Sequence, residues 1–425
     1  MSSMQWLLLV LCFLVVAADG MDVAIMGFLA PSIVGEWGVS RAAFGLVMSA
    51  APIGLVAGAL FAGPTSDRFG RKTVLIASVF LFGLFTLGTS FSSDLTEMAA
   101  LRFLTGLGLG AALPNTTTLL SEFVPHRSRS LLIAIMFTGF NLGSGTVGFM
   151  AAWLIPDHGW RVVLQVVGAI AVLLTPILLV LLPESARFMV VRGQPATRIA
   201  AVLGRACRTQ FRAGTEFFAP EPPVQGKASV RVLFSSGYGI ITLSLWVTYF
   251  MGLLVIYLLT GWLPTLISDA GLPISMAANI TAMFQIGGTA GAILLGWGMD
   301  RMQPTRVIAI SYAAGAIAIV CLGIGGPMSG TIALVVAIAG FFMSGAQTGL
   351  NAFAPNCYPT VARATGVNWM LGMGRFGSIL GSSIGGVLLS MGWSFTPLVS
   401  LLAIPAVFAG LAVLKARRDV EDEPG

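Results

Sequence analysis

Gly63-Pro-Thr-Ser-Asp67-Arg68-Phe-Gly-Arg71-Lys72 stands at the end of a long apolar run, and its core returns 233 residues later as Gly296-Trp-Gly-Met-Asp300-Arg301 at the end of another. Further along each half, Asn115 is matched by Asn351 and Arg127 by Arg363, both pairs 236 residues apart. One short match would be chance. Matches in the same order at nearly constant spacing indicate a duplicated chain.

The runs between these markers are long enough to cross a bilayer, which takes about 20 mostly apolar residues. Twelve are expected, at roughly 5–33, 42–64, 73–92, 97–121, 130–154, 161–182, 237–264, 277–299, 306–326, 331–354, 365–390 and 395–414. Composition agrees. Of 425 residues, 56% are apolar and only 9% charged, against about a quarter charged in soluble domains. The 52 glycines suit close-packed membrane helices. The first run could be read as a signal peptide ending near Ala17-Ala18, but no Lys or Arg precedes Trp6 and apolar character resumes at Val23. The expected fold is an all-α membrane protein of twelve transmembrane helices in two pseudo-symmetric six-helix halves.

Charge placement orients it. With both termini in the cytoplasm, nineteen of the 23 Lys and Arg residues fall on the inner side and only Arg41 and Arg161 outside. Short loops rich in Lys and Arg stay inside. The net charge of +6 is thereby explained without nucleic acid. The polar stretch 184–235 separates residues 1–183 from 236–425. It contains Ala219-Pro-Glu-Pro-Pro223, which cannot continue a helix, and is expected to be a cytoplasmic linker with one short surface helix near 195–210. The cysteines Cys12, Cys207, Cys321 and Cys357 have no metal-ligand spacing, and both histidines, His126 and His158, fall in expected loops. Proton chemistry within the membrane is left to carboxylates, and no nucleophile–base pair suggests an enzyme.

A few charges remain inside the spans. Asp19 and Asp22, three residues apart on one helix, share a face. A carboxylate at mid-membrane costs about 2.5–3.5 kcal/mol, so it normally faces a cavity or a partner. Two close carboxylates away from water cannot both ionise cheaply, as proton coupling requires. The plainer reading is that Asp19-Gly20 breaks the helix and satisfies freed backbone groups; Gly20 would in either case let it bend. Arg102, just inside the outer end of the fourth span, could pair with Asp19 or Asp22. Arg375, near mid-depth of the eleventh span, needs an anion. A substrate carboxylate suits its planar fork, and a permanent salt bridge is the alternative. Tyr249, Tyr257, Trp262 and Trp369 could wall an aromatic site, and Asn115, Asn141, Gln285 and Gln347 could meet ring hydroxyls; each could equally be a packing residue or an interface anchor. The glycines of Gly139-Phe-Asn-Leu-Gly143-Ser-Gly145 are better explained by helix packing. At the inner helix ends stand Glu122, Arg127 and Arg363.

The stretch 63–72 resembles the loop signature of the major facilitator superfamily. Arg102-x-x-x-Gly106-x-Gly108-x-Gly110 is similar to its fourth-helix motif, and Pro183-Glu-Ser-Ala-Arg-Phe188 to the close of its sixth helix. Asp19-Gly-Met-Asp22, Tyr358-Pro-Thr-x-x-Arg363-Ala-Thr-Gly366 and Gly372-x-Gly-Arg375-Phe-Gly resemble the aromatic acid:proton symporters. Residues 104–111, 117–122 and 248–253 resemble their 4-hydroxybenzoate and protocatechuate branch. The resemblance implies the major facilitator fold, proton-coupled uptake of a hydroxylated aromatic carboxylate for catabolism across a bacterial inner membrane, no cofactor beyond the proton gradient, and a monomer in the lipid bilayer. It also implies that Asp67, Arg68 and Arg71, echoed by Asp300 and Arg301, latch one conformation, an aspartate there meeting a neighbouring helix N-terminus. Glu122, Arg127 and Arg363 read as gate charges beside that latch. One departure stands out: relatives carry a histidine five residues beyond the second-half aspartate, where this chain has Thr305. Other organic or sugar acids, export, and a sensor that binds aromatic acids for chemotaxis are the alternatives.

Overall fold

The computed structural model describes residues 1–209, 211–212, 215–218, 233–234, 238–358 and 360–416, leaving aside the side chains of His126, Ser130 and residues 360–364. The proline-rich part of the linker and the side chain of Arg363 lie outside the described residues.

Long helices follow one another: α1 (Ser3–Trp37), α2 (Arg41–Phe69), α3 (Arg71–Thr89), α4 (Leu95–Phe123), α5 (Arg129–His158) and α6 (Trp160–Leu181). Two short helices, α7 (Ala186–Val191) and α8 (Ala196–Cys207), precede α9 (Tyr238–Asp269), α10 (Ile274–Met299), α11 (Pro304–Gly325), α12 (Ile332–Phe353), α13 (Thr360–Ser390), α14 (Phe395–Leu401) and α15 (Ala403–Leu414). No strand occurs among the described residues. The pair α14–α15 forms one span, so twelve spans result. Ten are apolar enough to cross a membrane on composition alone. The other two are α4 and α13, the helices that carry Arg102 and Arg375. On other spans the outward face is hydrocarbon: Val180 on α6, for example, is 77% exposed, as suits a lipid-facing side chain.

The Gly63–Lys72 motif, expected as a turn, is mostly helix. Helix α2 continues through Pro64 and Asp67 to Phe69, and only Gly70 breaks it. Gly70 has φ of +95°, and a side chain there would strike the Glu184 carboxylate and Phe188, so a glycine is required on both counts. In the second half α10 stops at Met299, before Asp300.

Two compact units emerge. The first comprises residues 1–23, 50–147 and 161–224; the second, residues 24–49, 148–160 and 225–425. The boundaries therefore cut through α1, α2 and α5 rather than following chain order. In the first unit, α8 buries Ile199, Val202 and Ala206 in an apolar cluster with Leu182, Met189 and Phe123, which makes it the short helix expected near 195–210.

Glycine sets the packing. In the first unit α1 meets α5 where Gly20 faces the Phe140 backbone and Gly143 the Ala17 carbonyl; α2 meets α4 where Gly54 faces Phe103 and Gly106 faces Ala51. In the second unit the equivalent helices make the same seams. Gly377 and Gly381 of α13 face Phe250 and Leu254 of α9, and Gly287 and Gly291 of α10 face Ala337 and Phe341 of α12. Lipid offers helices no hydrophobic drive to associate, so close approach through small residues supplies the van der Waals contact. The duplication seen in the charged motifs is thus repeated in the packing. Gly20 serves this close approach, and α1 runs through it without a break.

Candidate functional site

The first unit buries an ion pair. Arg102 Nη1 lies 3.3 Å from both carboxylate oxygens of Asp22, and neither side chain has any exposure. Asp22 is one of the two partners open to Arg102 on sequence. Three threonines complete the cluster. Arg102 Nη2 donates to Thr86 Oγ1 at 3.0 Å and to Thr105 Oγ1 at 3.2 Å, and Arg102 Nε donates to Thr89 Oγ1 at 3.3 Å. The Thr86 hydroxyl donates in turn to Asp22 Oδ1. A buried pair is tolerable only when its remaining donors and lone pairs find partners, and these hydroxyls provide them. Asp19, one turn earlier on α1, is also fully buried. The adjacent Gly20 carbonyl accepts from Ser144 Oγ of α5 at 2.8 Å.

The second unit holds a neutral polar network. Tyr312 of α11 donates to Gln347 Oε1 of α12 at 2.8 Å. Tyr249 of α9 lies near Gln347, Asn351 and Arg375. The Tyr249 ring covers Gly374, next to that arginine. Nearer the start of α9, Trp369 stacks on Trp246 at 5.8 Å, and Phe234 meets Trp246 edge-on. Sequence reasoning singled out Tyr249, Gln347, Trp369 and Arg375, which these two groups include. It missed Tyr312 and the three threonines, since a hydroxyl in an apolar run carries no signal until its neighbours are known.

The remaining pocket candidates are dispersed. Asn115 Oδ1 accepts from Ser66 Oγ at 2.6 Å, and Nδ2 donates to the Ala111 carbonyl at 2.8 Å, so its amide ties α4 to α2. Trp262 is wholly buried and donates to the Ser382 carbonyl at 2.8 Å. Gln285 is buried in α10, while Asn141 and Tyr257 are half-buried.

At the Gly63–Lys72 motif, Asp67 does not meet a neighbouring helix N-terminus. It accepts from Arg71 Nη2 at 2.6 Å, one turn along the chain. The carboxylate at the start of α3 is Glu184, whose Oε1 accepts the Lys72 amide at 3.0 Å, the favourable end of that dipole. Arg192 donates to the Arg68 carbonyl at 2.6 Å. Glu122 accepts from Ser185 Oγ, at 2.6 Å to the nearer oxygen, while Ser185 caps α7 by accepting from the Phe188 amide. In the second half, the place equivalent to Arg71 is Pro304, so Asp300 has no cation there; Arg301 instead lies over the Trp297 ring at 4.0 Å. Arg127 is exposed.

The second unit also contains a seam among α1, α2, α9 and α13. Arg41 at the start of α2 pairs with Asp269 at the end of α9 at 2.6 Å. Phe44 meets Trp262 edge-on at 6.5 Å, Gly45 faces the Ser383 carbonyl, and Trp160 donates to Glu36 at 2.7 Å.

Two six-span repeats, an ion pair sealed inside one unit and a polar network inside the other describe a membrane carrier rather than a channel or an enzyme. Comparison with known proteins agrees. Residues 11–336 and 245–425 match the family model described as Major Facilitator Superfamily, and the chain belongs to that superfamily. It is 58% identical to a gallate transporter of Pseudomonas putida, over 97% of this chain and 92% of that one. It is 49% identical to the 4-hydroxybenzoate transporter PcaK of Pseudomonas aeruginosa, over 97% and 93%. Among solved structures, an inward-open xylose transporter XylE from E. coli superposes with a TM-score of 0.74 at 15% identity, covering 99% of this chain and 98% of that one. A D-xylose-proton symporter gives 0.75 at 17% identity, covering 98% of both. These two show the fold.

Proposed function

We propose that the protein imports a hydroxylated aromatic carboxylate together with protons, by alternating access of its two duplicated halves, 1–183 and 236–425, across a bacterial inner membrane. Both termini are cytoplasmic and the working unit is a monomer. The observation that carries the coupling is the sealed Asp22–Arg102 pair with Asp19 one turn away. An ionisable residue held inside a membrane bundle marks an ion or substrate pathway, and this pair can change charge only if a proton arrives. Protonating Asp22 neutralises one member, frees Arg102 to lean on its threonines, and loosens the tie between α1 and α4. Arg375 supplies the cation for the substrate carboxylate, and the Trp246–Trp369 stack offers the flat apolar wall that the ring requires. The cytoplasmic contacts Asp67–Arg71, Arg192–Arg68 and Glu122–Ser185 act as the latch that opens and closes with transport.

4-Hydroxybenzoate and protocatechuate are the expected substrates. Gallate joins them, because the relative named for it has the higher identity of the two described above. The test is uptake of 4-hydroxybenzoate, protocatechuate, gallate and benzoate into proteoliposomes under an imposed pH gradient, with Asp22→Asn and Arg375→Ala alongside. Asp22→Asn should abolish accumulation against a gradient while leaving substrate exchange measurable, and Arg375→Ala should raise KM for every carboxylate. Full gradient-driven accumulation by Asp22→Asn would refute the coupling assignment. Binding of aromatic acids without any flux would favour a sensor.

A further inference from the structure

Gly252 of α9 faces two polar side chains from other helices of the second unit. A methyl on it would overlap both the Gln347 carbonyl oxygen and the Tyr312 hydroxyl, so this glycine leaves the space in which those atoms meet. Tyr312 has no exposure, and its hydroxyl points its proton at Gln347 Oε1. Gln347 is only 6% exposed, yet its Nε2 makes no hydrogen bond of ordinary length, and the acceptor within looser reach is the Tyr249 hydroxyl. Buried side-chain polar atoms are nearly always partnered, and leaving a donor without one costs stability. A donor held this loosely by the protein is able to turn to a partner that comes and goes.

The geometry fixes what that partner must offer. A carboxamide has one acceptor and two donors. Tyr312 occupies the acceptor and thereby sets which way the amide faces, so Nε2 presents N–H groups alone. It therefore selects an oxygen acceptor. The substrate's carboxylate is the poorer choice, because an anion is held more strongly by the guanidinium of Arg375 than by a neutral amide, and that cation lies within the same network, beside Tyr249. A ring hydroxyl remains.

We infer that Gln347 Nε2 is the group that recognises a ring hydroxyl of the aromatic acid, and that Tyr312 is the positioning residue that keeps the amide turned to donate. The inference rests on the aromatic-acid reading above and adds a cause for choosing hydroxylated rings over bare ones. Benzoate would offer Nε2 no such oxygen and leave it with Tyr249 alone. A site built to hydrogen-bond a substrate hydroxyl penalises the analogue lacking it far more than a purely apolar pocket does.

The experiment is counterflow in proteoliposomes with 4-hydroxybenzoate and benzoate, measured for the natural chain, Gln347→Leu and Tyr312→Phe. Gln347→Leu should lower kcat/KM for 4-hydroxybenzoate by about tenfold, equivalent to about 1.4 kcal/mol, while benzoate changes by less than about twofold. Tyr312→Phe keeps the ring and its packing; it should narrow the same ratio through KM, with kcat retained. If both substrates fall together in Gln347→Leu, or the ratio survives both substitutions, the inference is wrong although the carrier reading stands. If the natural chain moves neither acid, the carrier reading fails and this inference with it.

Discussion

Replacing Asp22 and Arg102, singly and together, tests whether the ion pair is one energetic unit. Asp22→Asn removes the charge and keeps the shape. The asparagine carbonyl can still accept from Arg102 and Thr86, but Arg102 becomes a wholly buried cation that has lost the Asp22 charge and keeps that carbonyl and the hydroxyls of Thr86, Thr89 and Thr105. Removing one partner of a buried pair costs about 3–5 kcal/mol, and the surviving hydrogen bonds place this change at the lower end. Arg102→Gln leaves the carboxylate with little besides the Thr86 hydroxyl, so it belongs near the upper end. The double variant has no charge to strand and carries two amides able to bond each other. Its loss should be about the size of one single change, which makes the coupling energy about 3 kcal/mol. Unfolding midpoints and slopes for the four proteins in one detergent provide the cycle. A double variant whose loss equals both single losses combined, within about 0.5 kcal/mol, would show that the two side chains do not share their energy, and the account of the site would fail.

Two further expectations follow from the packing and the Arg41–Asp269 seam. Gly143→Ala forces a methyl into the Ala17 carbonyl, a backbone atom that cannot rotate away, and should cost about 1–3 kcal/mol by overpacking; Gly63→Ala, which meets nothing within 4 Å, should be neutral or slightly stabilising in the same thermal-shift assay. Asp269→Asn breaks a pair in which both side chains are 36% exposed, so stability should fall by no more than about 1 kcal/mol, whereas labelling of the near-isosteric Ser383→Cys by a membrane-impermeant reagent should rise. Unchanged labelling would mean that the pair holds nothing closed.

The twelve spans and the duplication were readable because both are written in composition: apolar length and recurrence at a fixed offset. Asp22, Arg102 and Arg375 were readable because a charge inside a span is rare. Pairing was harder. Asp19 and Asp22 lie three residues apart on one face, so only geometry reveals the contact of Arg102 with Asp22. The hydroxyls of Thr86, Thr89 and Thr105 look like ordinary membrane threonines until the guanidinium is placed among them. The role at the α3 N-terminus went to Glu184 and not Asp67 because folding brings the end of α6 to the α2–α3 corner, a contact with no local signature. The repeat itself misled at Asp300, where Pro304 replaces the arginine that binds the first aspartate. Tyr312 sits in an uninterrupted apolar run of α11 and becomes legible only once α9 and α12 close around it.

The matched glycine seams bear on how such a chain can change over generations. At each seam the opposing surface is main chain, so a larger residue on one helix cannot be compensated by a smaller one on its partner. Both copies of the ancestral half are therefore held to small residues at these points, long after the rest of their sequences are free to part. What has parted is what faces inward. One copy carries a carboxylate paired with a guanidinium; the other carries the Arg375 guanidinium with tyrosines, an amide and a stacked pair of tryptophans. A shared frame under strict geometric constraint has allowed one half to specialise in a buried ion pair and the other in a cation set among aromatic and hydrogen-bonding groups. A change of cargo can then arise within the second copy without disturbing the first.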